Sequence, residues 1–210
     1  MDRGAGLMWY AVQVRNGREE KVVIQCGKLI EEDILKECFL PRFEKMKRYQ
    51  GRWHKEEELL FPGYVFMISN KPQELQIALR RIPELTRLLG DEASPVALYH
   101  EEVEFLLRFG GQGRHVVEVS TGYMEGDQVI IVDGPMAGYE GTISRINRHK
   151  RLAVLTVPFF GRNMEVRVGL EIIERRALED GEGKEDRTAG DGQKETESEE
   201  RESGKKGSAS

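Results

Sequence analysis

Hydrophobic and polar positions follow two periods along the first half of the chain. Met8–Val14 (MWYAVQV) is typical of a strand, since it is apolar and rich in β-favouring residues. The apolar residues that follow recur at the spacing of one helix face: Val22, Cys26, Leu29 and Ile30. Asn16 and Glu19 stand three apart before this stripe, which predicts a helix start of the capping-box type.

Further strand and helix signals alternate up to about residue 110. The pattern predicts strands at Glu37–Phe43, Phe61–Ile68 and Leu85–Leu89, and helices at 72–82, ended by Pro83, and His100–Phe109. Glu44–Glu58 is mostly charged and indicates an exposed hairpin tip around Gly51. The order β-α-β-β-α-β with an extra helix predicts an α+β domain of the ferredoxin-like split βαβ type.

The second half carries only short strand patterns, separated by glycine-rich turns. The predicted strands are Asp127–Val132, Thr142–Ile146, Arg151–Pro158 and Asn163–Val168. Several short strands in about fifty residues favour a small β-barrel, because barrel closure removes exposed sheet edges.

Composition divides the 210 residues into four segments. We predict a first domain at 8–110, a linker at 111–122 beginning near the glycines of GGQGR, a barrel domain at 123–176 and a disordered tail at 177–210. The tail holds 11 acidic and 6 basic residues, which account for the formal net charge of −5. The remaining body carries 26 of each, so global charge decides nothing about nucleic-acid binding.

Several classes of protein are disfavoured by what the chain contains. Its two cysteines and four histidines have no zinc-site spacing, and no run of 18 apolar residues is present. No nucleophile motif, phosphate-binding loop or zinc-protease motif occurs. We therefore expect a cytoplasmic, monomeric protein without cofactor or metal, which is not an enzyme.

Short motifs in a fixed order give the sequence its most specific signal. They are Trp9-Tyr10-Ala11-Val12, Asn16-Gly17-x-Glu19, Phe61-Pro62-Gly63-Tyr64-Val65, Arg81-Ile82-Pro83-Glu84-Leu85-Thr86, Gly126-Asp127-x-Val129, Gly134-Pro135-x-Ala137-Gly138-Tyr139-x-Gly141 and Phe159-Phe160-Gly161-Arg162. In this order they resemble the NusG family of transcription elongation factors over residues 8–174. The resemblance implies an N-terminal NGN domain that binds RNA polymerase, followed by an SH3-like KOW barrel.

The resemblance also implies roles for residues of the first domain. The candidates for the polymerase-binding face are aromatic or apolar: Tyr10, Phe61, Pro62 and Tyr64. The residues expected to face the non-template DNA at the upstream fork are Arg80, Arg81 and Thr86. The alternatives are structural, since strand aromatics usually belong to a core and charges at a helix end are usually solvated.

A basic stretch distinguishes the second domain, because no acidic residue occurs from Gly141 to Met164. We predict an RNA-binding site in which cations contact phosphates and aromatic rings stack on bases: Arg145, Asn147, Arg148, His149, Lys150, Arg151, Phe159, Phe160 and Arg162. The alternative is a charged hairpin tip that merely keeps the barrel soluble.

This basic tip points to a specialised member of the NusG family. It is similar to LoaP-type antiterminators, whose barrel recognises a leader RNA hairpin and which promote processive antitermination. Two alternatives remain open. One is the general NusG elongation factor, coupled to the ribosome through a small-subunit ribosomal protein or to a termination factor. The other is a KOW-containing ribosome-associated RNA-binding protein.

Overall fold

The structure is a computed structural model that describes residues 6–82, 85–88, 97–110 and 113–174, with only the backbone described at 85–88. The predicted disordered tail, 177–210, lies outside these residues. Within the described part of the chain, no helix combines the length and the apolar character that a membrane span needs.

The first domain alternates strands and helices as its sequence pattern predicts. In chain order its elements are β1 (Met8–Val14), α1 (Glu19–Leu29), β2 (Glu37–Phe39), β3 (Arg42–Tyr49), β4 (Arg52–Leu59), β5 (Tyr64–Ser69), α2 (Pro72–Leu79), β6 (Leu85–Leu88) and α3 (His100–Gly110). One sheet has the strand order β2-β5-β1-β6, and all of its neighbouring strands are antiparallel. This order confirms the predicted ferredoxin-like arrangement.

Both faces of this sheet are covered. On one face Tyr10, Val12 and Val14 of β1 pack in a core with Val22 of α1 and Leu75 of α2. Side chains that alternate with them point to the opposite face. The whole of β5 is buried as a result.

The residues of the opposite face belong to a second core. Ala11, Phe39 and Phe66 lie there, in a cluster that continues into the barrel domain. Packing on both sides explains why the apolar run of β5 does not alternate with polar residues.

The start of α1 differs from the predicted capping box. Arg18 is the N-cap residue and forms no side-chain cap hydrogen bond. Glu19 is buried instead, and its Oε1 accepts a 2.8 Å hydrogen bond from the backbone N–H of Gly63. Gly63 has a φ of +84°, and a Cβ there would lie 2.5 Å from Asn16 Oδ1. Asn16 and Glu19 therefore shape the loop before β5 rather than cap the helix.

The predicted charged hairpin is formed by β3 and β4, which turn at Gln50 and Gly51. Both turn residues have positive φ, the conformation of a tight hairpin turn. The single strand predicted at 37–43 is instead two strands, β2 and β3. Pro41 lies between them, where it cannot donate a hydrogen bond to a strand ladder.

Much of the predicted linker is built into sheets. A short strand β7 (Val116–Val117) runs parallel to β3, pairing with Arg42 and Phe43. The strand β8 (Ser120–Glu125) then begins inside the predicted linker range. Since Val117 is fully buried, this connection is part of the packed structure.

The second domain consists mainly of strands. They are β8, β9 (Gln128–Asp133), β10 (Ile143–Asn147), β11 (Leu152–Phe159) and β12 (Arg162–Ile172), with a short 3-10 turn at Glu140–Thr142. Their order is β10-β11-β12-β8-β9, with β12 and β8 parallel. The inward side chains of β9, β11 and β12 form the core, which confirms the predicted barrel-like domain.

Gly169 marks the place where the barrel meets the β3–β4 hairpin. A Cβ at Gly169 would overlap the backbone carbonyl oxygen of Glu44 in β3. The missing side chain thus lets β12 approach β3 closely.

Candidate interaction surfaces

Aromatic rings from both domains form a continuous cluster between the first sheet and the barrel. The centroids of Phe61 and Phe159 are 4.7 Å apart, and Phe66 lies 6.4 Å from Phe159 in an edge-on arrangement. Tyr64 and Phe160 stack at 4.7 Å with 20° between their planes. The barrel therefore covers the open face of the first domain's sheet.

Hydrogen bonds surround this aromatic contact. Arg162 Nη2 donates a 2.7 Å bond to the Tyr64 hydroxyl oxygen. The backbone N–H of Phe160 donates a 2.5 Å bond to Glu102 Oε1, while Glu102 Oε2 accepts a 2.8 Å bond from the Tyr99 N–H. Glu102 is only 5% exposed, so its carboxylate links α3 to the barrel in a largely desolvated position.

The helix α3 supplies the rest of the contact. Phe105 packs edge-on against Phe159 at 5.7 Å, and Phe109 packs edge-on against Tyr139 at 4.8 Å. Arg108 Nη2 donates a 2.5 Å bond to the Ala137 carbonyl oxygen, and its guanidinium lies 4.8 Å from the Tyr139 ring centroid. The barrel thus rests on both the sheet and the helix.

The four residues predicted to contact the polymerase lie in three different environments. Phe61 and Tyr64 belong to the aromatic contact with the barrel, and Pro62 is exposed beside them. Tyr10 lies on the opposite face of the sheet, in the core against α1 and α2, so it cannot share a surface with the other three. Burial also raises the pKa of Tyr10.

Sequence reasoning missed other members of the apolar face. Trp9 is half-buried and packs edge-on against Phe39 at 5.3 Å, and Phe66 is fully buried beneath the barrel. The signal was present in the sequence FPGYVFMI, because an uninterrupted apolar strand indicates burial on both faces.

Two of the three residues predicted to face DNA lie at the end of α2, and Thr86 lies in β6. Arg80 and Arg81 are exposed just after the helix. The side chain of Thr86 lies outside the described part of the structure. The two arginines are thus accessible, and their role stays a prediction.

The basic tip of the barrel lies in the turn between β10 and β11. Arg148, His149 and Lys150 are exposed, and Asn147 Oδ1 accepts a 2.9 Å bond from the Lys150 N–H. Arg151 completes the turn with a φ of +52°. Asn147 therefore holds the conformation of the turn while its cationic neighbours face solvent.

The cations of the basic stretch differ in their partners. Arg145 is paired with Glu165 at 2.8 Å, and Arg151 with Glu171 at 2.7 Å. Within the described residues, the side chains of Arg148 and Lys150 form no ion pair. These two are the cations most available to a phosphate.

Phe159, Phe160 and Arg162 lie at the other end of β11 from the basic tip. β11 has eight residues, and its seven steps of about 3.3 Å put Phe159 roughly 23 Å from Leu152. Phe159 is 1% exposed, and Phe160 and Arg162 contact Tyr64 of the first domain. The prediction that they provide stacking and phosphate contacts beside the tip is therefore wrong for the packed arrangement of the domains.

Known proteins share this two-part organisation. A protein-family model described as "Transcription termination factor nusG" matches residues 7–107, and a second, described as "KOW motif", matches residues 125–157. The transcription termination/antitermination protein NusG of Thermus thermophilus is 31% identical over 170 residues, which cover 75% of this chain and 92% of the relative. The chain belongs to the NusG family.

A second curated relative agrees with this assignment. NusG of Lactococcus lactis is 31% identical over 173 residues, covering 79% of this chain and 91% of that protein. A structure described as "Domain interaction in Thermotoga maritima NusG" has 26% identity and a TM-score of 0.49, covering 79% of this chain and 93% of the other. The chain is thus a member of a family of transcription termination/antitermination factors.

Proposed function

We propose that this NusG-family protein binds RNA polymerase through the apolar face of its first domain and promotes processive antitermination. In this proposal the barrel recognises a hairpin in a leader RNA and brings the first domain close to its target. The observation that carries the RNA role is the exposed turn with Arg148 and Lys150, whose charges no described acidic side chain neutralises.

Charge and geometry support RNA as the ligand of this turn. The cations project from one end of the barrel, and the stretch from Gly141 to Met164 contains no carboxylate that would repel phosphates. Phosphate contacts supply much of the affinity of nucleic-acid binding and make it sensitive to salt. A hairpin also presents an accessible loop, where single-stranded bases are read.

The apolar face of the first domain supports polymerase docking. Phe61 and Phe66 lie against Phe159 and Phe160 of the barrel, which cover part of this face. Without the barrel these rings would form a contiguous apolar surface, the kind that marks a protein-binding site. Docking on this face therefore requires the barrel to move away.

The two exposed arginines after α2 support an additional contact with nucleic acid. Arg80 and Arg81 have no described ion-pair partner, so they are available to DNA phosphates. In the proposed arrangement they contact the non-template strand while the apolar face binds the polymerase.

The general elongation factor is the second candidate. Curated relatives that cover most of this chain are named termination/antitermination proteins, and their names do not single out a leader RNA. In this reading the barrel, once displaced, presents Phe160 to a small-subunit ribosomal protein or a termination factor. The basic tip then serves only solubility.

An RNA-binding measurement on the full chain tests the proposal. A pool of RNA hairpins from operon leaders is mixed with the wild type, with the double variant Arg148→Glu and Lys150→Glu, and with Lys28→Glu. Lys28 is exposed on α1 of the first domain and is distant in sequence from the basic tip of the barrel. It serves as the charge-reversal control. The wild type and the control should enrich the same hairpins, and the double variant should enrich none. Equal enrichment by the double variant would contradict the RNA role.

A further inference from the structure

A cleft of about 800 Å³ lies between the tip of the β3–β4 hairpin and the basic tip of the barrel. Arg48 and Trp53 line it from the first domain, while Arg148, His149 and Arg151 line it from the barrel. Arg48 and Trp53 are direct cross-strand partners, so they lie on the same face of the hairpin. The cleft therefore exists only while the two domains are packed together.

The charge of the cleft favours an anionic ligand. Arg48 and Arg148 form no ion pair with any residue that the structure describes. Arg151 is already paired with Glu171, and Glu174 adds one carboxylate at the rim. Two guanidinium groups that line one open cleft can each hold a phosphate, often with two parallel hydrogen bonds.

The cleft also has an aromatic wall. Trp53 is 36% exposed, and the guanidinium carbon of Arg151 lies 4.0 Å from its ring centroid. The Arg151 guanidinium thus occupies one face of the indole, and a base that stacks on that face takes its place. Met124 and Ile172 add apolar surface to the cleft. Phosphate-binding cations beside a stacking ring are the usual parts of a site for single-stranded nucleic acid.

We propose that this cleft binds a single-stranded segment of RNA, with its phosphates on Arg48 and Arg148 and one base stacked against Trp53. The inference rests on the proposed RNA-binding function and deepens it, because it adds residues of the first domain to the site. Glu174 favours RNA over DNA, since its carboxylate can accept a hydrogen bond from a ribose 2′-hydroxyl, which DNA lacks.

The cleft gives the packed protein a larger RNA site than the barrel has alone. When the barrel leaves the first domain, the RNA keeps the contacts of the basic tip and loses those of Arg48 and Trp53. RNA held by the basic tip alone leaves the barrel free to move off the apolar face, whereas RNA in the cleft favours the packed arrangement, because a ligand favours the state that binds it more tightly.

Binding of a labelled uridine oligonucleotide by the full chain tests this site. A length of about twelve nucleotides lies within the usual range for single-strand sites. Trp53→Ala should weaken binding by about tenfold, whereas Trp53→Phe should keep most of the affinity. Arg48→Glu should also weaken binding, and should reduce the slope of log affinity against log salt by about 0.7.

Arg52→Glu is the matched control, because Arg52 is an exposed cation of the same hairpin on its other face. It should bind like the wild type apart from a small general charge effect. Binding by Trp53→Ala and Arg48→Glu that equals the control would overturn the cleft, even if reversal of Arg148 and Lys150 still abolished binding. That combination leaves the proposed function intact. If the double variant Arg148→Glu and Lys150→Glu bound RNA as tightly as the wild type, the proposed function itself would be contradicted.

Two further probes separate the possible ligands. A deoxyuridine oligonucleotide of the same length should bind more weakly than the RNA, and Glu174→Gln should reduce this difference. Equal affinity for the two oligonucleotides would overturn the assignment to RNA. Tighter binding of an acidic peptide than of the RNA would overturn the nucleic-acid site and indicate a protein partner.

Discussion

Arg162 donates a 2.7 Å hydrogen bond to the hydroxyl of Tyr64, whose ring stacks on Phe160. The contact joins the FPGY segment of the first domain to the FFGR turn of the barrel. Both segments carry the resemblance to the NusG family, and here they bind each other. The surface proposed for the polymerase is therefore the surface that the barrel occupies.

Weakening the aromatic contact should increase polymerase binding. Phe160→Ala removes the ring that stacks on Tyr64 and lies 6.2 Å from Phe66. Aromatic pairs contribute about 0.5–1.5 kcal/mol each beyond burial, so the loss of one pair should raise the population with an accessible face by about two- to tenfold. The apparent Kd for core RNA polymerase should fall accordingly, as measured by fluorescence anisotropy. Tyr49→Ala, at the exposed hairpin tip, is the control; if Phe160→Ala bound no more tightly than this control, the barrel would not be blocking the face.

Removing the carboxylate of Glu102 should loosen the same contact. Glu102→Ala takes away the acceptor of the Phe160 N–H. A hydrogen bond to a charged group contributes about 1.5–3 kcal/mol, so exchange of the Phe160 amide hydrogen should accelerate by roughly tenfold or more. Glu104→Ala removes an exposed carboxylate on the same helix and should leave this amide unchanged. If the Phe160 amide hydrogen exchanged as slowly in Glu102→Ala as in the wild type, the hydrogen bond would not hold the domains together.

The buried bond between Glu19 and Gly63 should contribute to folding stability. Glu19→Ala leaves the Gly63 N–H without its acceptor, at a cost of about 1–3 kcal/mol. Glu20→Ala removes only the exposed ion pair with Arg42 and should cost about 0–1 kcal/mol. Urea unfolding measures both free energies. Equal losses for the two variants would contradict a structural role for Glu19.

Tyr10 should make the protein less stable at alkaline pH. Its pKa is raised by burial, so the folded state resists ionisation more than the unfolded state does. The free energy of unfolding should therefore fall as the pH rises above about 10, the usual pKa of tyrosine. Tyr10→Phe removes this contribution, so its stability should decline less steeply over that range. Circular dichroism measures the free energy of unfolding of both proteins as a function of pH. Parallel curves for the variant and the wild type would contradict the burial of this hydroxyl group.

Local patterns predicted most of the fold, because each element carries its own periodicity. The helix stripe of Val22 and Cys26 lies on the buried face of α1, and Pro72 opens α2. The capping box predicted at Asn16 and Glu19 is wrong, because a capping box and a buried loop contact use the same residue types. Only the position of Gly63, 44 residues later, distinguishes them.

The contact between the domains could not be read from local pattern. Phe159 and Phe160 follow a basic stretch in the sequence, but β11 carries them to the far end of the barrel. The pairing of Val116 with Arg42 likewise turns a glycine-rich linker into a strand connection. Both features depend on contacts distant in sequence, and short-range periodicity contains no information about them.

Transcription through a terminator by purified RNA polymerase tests the central claim most directly. The templates carry or lack a leader hairpin enriched by the full chain, and the protein is the wild type or the double variant Arg148→Glu and Lys150→Glu. We predict that the wild type raises readthrough only on the template with the leader, and that the double variant does not. Readthrough that stays unchanged in every condition would contradict the antitermination claim.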